Sequence, residues 1–120
     1  IVFLGWEPHP MNANFALTYL QGGDAFFGPD FGGATVYTNT SAGYPERCPN
    51  LGKFLKNLKF TLQMENQIMA DILNENMDAN AAAMNALKAE PTVLNAWLDG
   101  VTTADGGDGL AAVQSALGLK

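Results

Sequence analysis

The spacing of hydrophobic positions changes character near Pro45. Before it, short apolar or alternating runs dominate. Residues 1–6 are apolar and rich in strand formers, and Pro8 and Pro10 stop the run. Phe15 to Leu20 is a second such run, closed by Gln21-Gly22-Gly23-Asp24, and residues 34–39 alternate small or polar side chains with β-branched and aromatic ones. Each of the three predicts a short strand. Residues 22–34 hold five glycines, Pro29 and three phenylalanines, which predicts an irregular loop pinned by aromatic rings.

After Pro45 the period becomes helical. Leu51, Phe54, Leu55 and Leu58 recur at i, i+3, i+4 and i+7, one apolar face of a helix over residues 50–58. Met64, Ile68 and Ile72, flanked by Met69 and Leu73, predict a longer amphipathic helix over 61–75, and Ala82, Ala83, Met84 and Leu87 predict another over 79–89. Glu90-Pro91 breaks that helix, and Pro91 suits the first turn of a short one carrying Leu94, Trp97 and Leu98. Trp97 shares its spacing with those leucines and is predicted to be core. Asp108 is the expected N-cap of a last helix over 109–117, with Gly118 its stop. Three short strands followed by five helices leave much of a sheet unaccounted for. The expected architecture is therefore α/β, the C-terminal portion of a larger protein whose other strands lie upstream.

Composition and charge narrow the function. The 120 residues are 48% hydrophobic, enough for one modest core and unlike a disordered chain. No apolar run approaches the ~20 residues of a membrane span. A net charge of −6 argues against a nucleic-acid partner. Residues 1–59 are balanced, whereas residues 60–120 carry eight acids against Lys88 and Lys120. That excess is either a solvated helical surface or a docking face for a basic partner. Ile1-Val2-Phe3-Leu4 has no charged region before it and no cleavage site after it, so it is not a signal peptide. It reads as a buried strand met in mid-fold. Cys48 is the single cysteine, either a buried thiol or half of a bridge whose partner lies outside this sequence.

Catalytic and metal signatures are weak. His9 has no adjacent Cys or Ser, no Gly-x-Ser-x-Gly or Ser-x-x-Lys occurs, and one His with one Cys does not make a zinc set. Asp105-Gly106-Gly107-Asp108-Gly109 lacks the alternate ligands and closing Glu of a calcium loop, so a turn with a helix cap is expected there. Neither an enzyme nor a cofactor is expected. What remains is Gly5-Trp6-Glu7-Pro8-His9-Pro10-Met11-Asn12. Trp6 ends an apolar run at the position where α/β proteins place ligand-binding residues. It either fills a core or presents its ring for stacking or cation binding.

The same stretch, followed by Leu17-Thr18-Tyr19-Leu20 and Gly22-Gly23-Asp24, resembles the substrate-binding proteins of glycine betaine/choline ABC transporters, most closely the periplasmic choline-binding proteins of rhizobia. Phe27-Gly28-Pro29, Gly32-Gly33-Ala34-Thr35-Val36, Cys48-Pro49-Asn50, Leu62-Gln63-Met64-Glu65-Asn66 and the run from Asp105 to Val113 carry the likeness on. The resemblance implies a type II periplasmic binding protein, a two-lobed Venus flytrap of which this chain is the C-terminal portion. Residues 1–7 would be the last strand of the second lobe, 8–14 a hinge crossing, and 15–120 the C-terminal part of the first lobe. Trp6 would be one wall of an aromatic box around choline, the other walls lying upstream, and His9 a further ligand contact or a hinge hydrogen bond. Cys48 would pair with a cysteine outside this chain. The implied partners are a quaternary ammonium solute, the upstream part of the same protein and the importer's membrane permease, in the periplasm. Glycine betaine or proline betaine is the alternative ligand, and a helical module docking onto a partner chain is the alternative role.

Overall fold

The computed structural model describes residues 1–119. Its helices are α1 (Met11–Asn14), α2 (Asp24–Phe27), α3 (Pro29–Gly32), α4 (Tyr44–Arg47), α5 (Pro49–Asn57), α6 (Leu62–Leu73), α7 (Ala79–Ala89), α8 (Val93–Trp97) and α9 (Gly109–Leu117). Three of the longer helices begin where the sequence supplies a cap. Thr61 Oγ1 accepts the Met64 N–H at 3.1 Å. The Asp78 carboxylate accepts from Asn80 and Ala81 at 2.9 and 3.2 Å, and that of Asp108 accepts from Ala111 at 3.0 Å. Each satisfies a donor that the first helical turn leaves unpaired. Gly118 closes α9 at φ 64°, a left-handed conformation that glycine adopts without a steric penalty. The helices expected over 50–58, 61–75, 79–89 and 109–117 correspond to α5, α6, α7 and α9, and the short one after Pro91 is α8. The single-turn helices α1 to α4 carry no apolar period over so few residues; prolines mark the starts of α1, α3 and α4, and α2 has none.

The expected α/β fold, part of a type II two-lobed binding protein, is overturned. Among the described residues, β pairing is confined to an isolated antiparallel bridge between Thr102 and Asp108, and the chain is 52% helix with no sheet. Residues 1–6, 15–20 and 34–39 form no ladder. Alternation and β-branching mark a segment suited to a pleated surface, but a strand exists only when another segment takes up its N–H and C=O groups. No described segment does so here. Ile1 to Leu4, expected to be buried, are exposed, as are Val36 and Tyr37. The radius of gyration is accordingly 18.0 Å, against about 14 Å for a compact chain of this length.

The core lies in the helical half. Met64 of α6, Leu94 and Trp97 of α8, and Leu98 are buried, with Phe54, Leu58, Ile68, Leu87, Val101 and Val113 packed around them. Trp97 is core, as its spacing predicted. Its indole N–H donates to the Lys59 carbonyl at 2.9 Å, and its ring lies 5.1 Å from that of Phe60. A buried indole nitrogen needs such a partner. α6 and α7 pack against each other, and Ala82 of α7 is fully buried.

One face of α5 holds the loop after α8. Asn50 donates to the Thr102 carbonyl at 2.6 Å and accepts the Thr102 N–H at 2.9 Å. Lys53 Nζ donates to the Gly100 carbonyl at 2.9 Å, and Asn57 donates to the Asp99 carbonyl at 3.0 Å. Positions i, i+3 and i+7 of a helix share a face, and here all three side chains grip the backbone of the loop. Further on, the Thr103 hydroxyl donates to the Asp105 carboxylate, and Gly106 N–H closes onto the Thr103 carbonyl. This is the turn expected before the Asp108 cap.

Candidate functional site

Trp6 sits on the irregular segment that leads into α1, and the residue is 56% exposed. The described residues therefore leave much of its surface uncovered. Leu4, Gly5, Trp6 and Glu7 line an open groove of about 670 Å³, shared with Tyr19, Phe27, Asp30 and Phe31. Four aromatic rings therefore meet one concavity. Glu7 and Asp30 are its charged lining residues, with no Lys, Arg or His among them. The far wall depends on an unusual backbone. Asp30 and Phe31 have φ of 52° and 58°, and Gly32 follows at 82°. A Cβ at Gly32 would lie 2.7 Å from the Phe27 carbonyl oxygen, so the turn requires glycine there. It carries Phe31 to 6.1 Å from the Tyr19 ring. Gly5, by contrast, has room for a side chain, whose Cβ would meet Phe3 and Met11 at ordinary contact distances of 3.6 and 3.7 Å.

His9 lies behind Trp6. The two ring centroids are 5.1 Å apart at 72°, an edge-to-face contact. His9 Nδ1 accepts the Met11 N–H at 3.2 Å, so the neutral ring carries its proton on Nε2. The His9 backbone N–H donates to Asn66 Oδ1 on α6 at 2.7 Å. The segment bearing Trp6 is thereby tied to the helical half, and Asn14 with Asn74 adds a second tie at 3.2 Å.

The residue that sequence reasoning passed over is Asn12. Its side-chain amide donates to the carbonyls of Trp6 and His9 at 3.0 and 3.1 Å, and its Oδ1 accepts the Tyr19 hydroxyl at 3.0 Å. The one available signal was an Asn in the first turn after Pro10, a position where Asn commonly bonds nearby backbone.

Cys48 lies well away in sequence, at the junction of α4 and α5. Its N–H donates to Tyr44 at 2.9 Å and its carbonyl accepts from Gly52 at 2.8 Å. The side chain is half-buried and the thiol is free within this chain. Among the described residues, no three His, Cys, Asp or Glu side chains converge to hold a metal. Among the described residues, no helix is long and apolar enough to cross a membrane. Asp105 has its carboxyl held below the usual range by the Thr103 hydroxyl first, then by the backbone N–H groups of Asp105 and Gly107.

Residues 1–89 match the family described as the substrate binding domain of the ABC-type glycine betaine transport system. The chain is 29% identical over 106 residues to the glycine betaine/carnitine transport binding protein GbuC of Listeria monocytogenes serotype 1/2a (strain 10403S), covering 88% of this chain and 34% of that protein. It superposes on an ABC-transporter choline binding protein in complex with choline at a TM-score of 0.81 and 63% identity, over 94% of this chain and 39% of the other. Against such a protein in an unliganded semi-closed conformation the TM-score is 0.75 at 63% identity, covering 96% and 40%. The chain thus spans 34% of the curated relative's length and 39–40% of the solved ones.

Proposed function

Because the chain belongs to the family of substrate binding domains of ABC-type glycine betaine transport systems, whose members bind solutes for import and are not catalysts, we propose that it contributes part of a site for a quaternary ammonium solute, choline before glycine betaine. The observation that carries this is the exposed Trp6 ring over an aromatic groove with acidic and no basic lining residues. A quaternary ammonium offers no N–H to donate, so dispersion and the negative faces of π-systems must hold it. Glu7 and Asp30 add attraction for a cation, and they oppose the carboxylate of a betaine. The 63% identity to a choline binding protein supports the same order of preference.

One ring contributes about 0.5–2 kcal/mol, whereas micromolar affinity needs about 8 kcal/mol. Trp6 is therefore one wall among several: Tyr19 lines the same groove, and further walls come from outside residues 1–120. His9 is the second candidate contact; with Nδ1 committed to Met11, it offers Nε2–H to a ligand oxygen. Membership of the family carries an extracytoplasmic location. The partner that receives the solute is then the membrane permease of the importer. In an oxidising compartment the half-buried Cys48 pairs with a cysteine beyond this sequence.

The test is Trp6→Ala in the protein that carries this sequence, titrated calorimetrically with choline and with glycine betaine. Loss of one ring weakens choline by about 2- to 30-fold, the equivalent of 0.5–2 kcal/mol. Unchanged choline affinity would remove Trp6 from the site.

A further inference from the structure

We propose that Asn12 is the positioning residue that sets Trp6 and Tyr19 in register across the groove, an inference that rests on Trp6 being a ligand-contacting ring. Packing fixes Trp6 only in part, since the residue is 56% exposed and the His9 ring is its aromatic neighbour. What holds its backbone is a side chain. Asn12 Nδ2 donates to the Trp6 carbonyl at 3.0 Å and to the His9 carbonyl at 3.1 Å. These bonds close residues 6–12 into a ring and keep His9 edge-on to the indole at 5.1 Å. The opposite end of the same amide accepts the Tyr19 hydroxyl at 3.0 Å, and Tyr19 lines the groove with Trp6. Both amide hydrogens and the amide oxygen are therefore committed, each to a group whose placement decides where a ring stands. The two carbonyls also fix the amide's orientation, because reversing it would set Oδ1 against two oxygens that cannot donate, whereas the Tyr19 hydroxyl can either donate or accept.

Cation–π attraction depends on the ammonium lying over a ring face within about 6 Å of its centroid. Two rings that share one cation must therefore be fixed relative to each other as well as to the ligand. An arrangement fixed before binding also avoids the cost of ordering those side chains at binding.

The experiment measures choline affinity by calorimetric titration in the protein that carries this sequence, for Asn12→Ala, Tyr19→Phe, their double variant and Trp6→Ala, with thermal unfolding recorded for each. Asn12→Ala is expected to weaken choline about tenfold. Tyr19→Phe, which keeps the ring and loses only the hydroxyl, is expected to weaken it about threefold. The double variant should be no weaker than Asn12→Ala alone, because the hydroxyl acts through the amide. A merely structural role would lower the melting temperature and leave the affinity of the folded protein untouched, and that outcome overturns the proposal. Independent, multiplying effects of Asn12→Ala and Tyr19→Phe overturn it as well. If Trp6→Ala loses choline while Asn12→Ala and Tyr19→Phe bind normally, the positioning role fails and the Trp6 reading survives. If Trp6→Ala binds normally, both fall together. Should Asn12→Ala not fold, Tyr19→Phe alone decides, and wild-type affinity in that variant refutes the coupling.

Discussion

Replacing Trp97 by alanine removes the largest side chain of the helical core. The residue is 7% exposed among Met64, Leu94 and Leu98. Truncations of this kind cost about 3–5 kcal/mol, through lost transfer free energy and the cavity left behind. Part of that loss is polar. The Lys59 carbonyl forfeits the indole N–H that reaches it at 2.9 Å, a bond worth about 0.5–1.5 kcal/mol net. Trp97→Phe separates the two parts, keeping an aromatic ring near Phe60 while deleting the donor; it is expected to cost about 1–2 kcal/mol. Trp6→Ala, at 56% exposure, should stay within about 0.5 kcal/mol, as surface substitutions do. Urea unfolding of the protein that carries this sequence distinguishes the three, read as a shift in midpoint at constant slope. Choline affinity supplies the converse: impaired in Trp6→Ala, unchanged in folded Trp97→Phe. A loss below about 1 kcal/mol for Trp97→Ala would contradict the packing argument, and equal destabilisation by the two alanine variants would contradict the division of labour between the tryptophans.

Two smaller effects follow from local geometry. Asp108→Ala removes the acceptor of the Ala111 N–H and should cost about 1 kcal/mol, measured by denaturant midpoint, whereas Asp108→Asn, which keeps an acceptor, should recover most of it. Asp105, whose carboxyl is held low by Thr103 and two backbone N–H groups, should titrate below the ordinary aspartate value when followed by NMR. Since its folded value is depressed, its contribution to the turn is present above the ordinary aspartate range and is lost as the pH falls through the folded value; Thr103→Val should move the midpoint upward.

The sequence made the helical half legible because its signals are local. Leu51, Phe54, Leu55 and Leu58 state a face within eight consecutive positions, and Asp108 and Gly118 mark both ends of α9. Trp97 could be placed in the core by its spacing from Leu94 and Leu98. The first forty residues were misread for the opposite reason. Alternation in residues 34–39 describes what a segment suits, whereas a ladder needs a partner whose presence no local pattern encodes. The site was legible in part. Trp6 stood out as a large ring at the end of an apolar run, and its motif pointed to the family that residues 1–89 match. Asn12 lay inside that same motif without drawing notice, because its bonds run to the carbonyls of Trp6 and His9, groups that every residue possesses.

The hold of α5 on the loop after α8 divides the freedom to mutate unequally. Asn50, Lys53 and Asn57 reach carbonyl and N–H groups of residues 99–102, never their side chains. Asp99 and Thr102 can thus exchange for many other residues without the grip noticing, whereas each gripping side chain on α5 has few substitutes. Gly100 is the exception on the loop: its φ is 63°, and an added Cβ would stand 3.0 Å from Lys53 Nζ. In a saturation-mutagenesis map, tolerance should therefore run opposite to intuition, with the exposed loop permissive at two positions and the face of a regular helix strict at three.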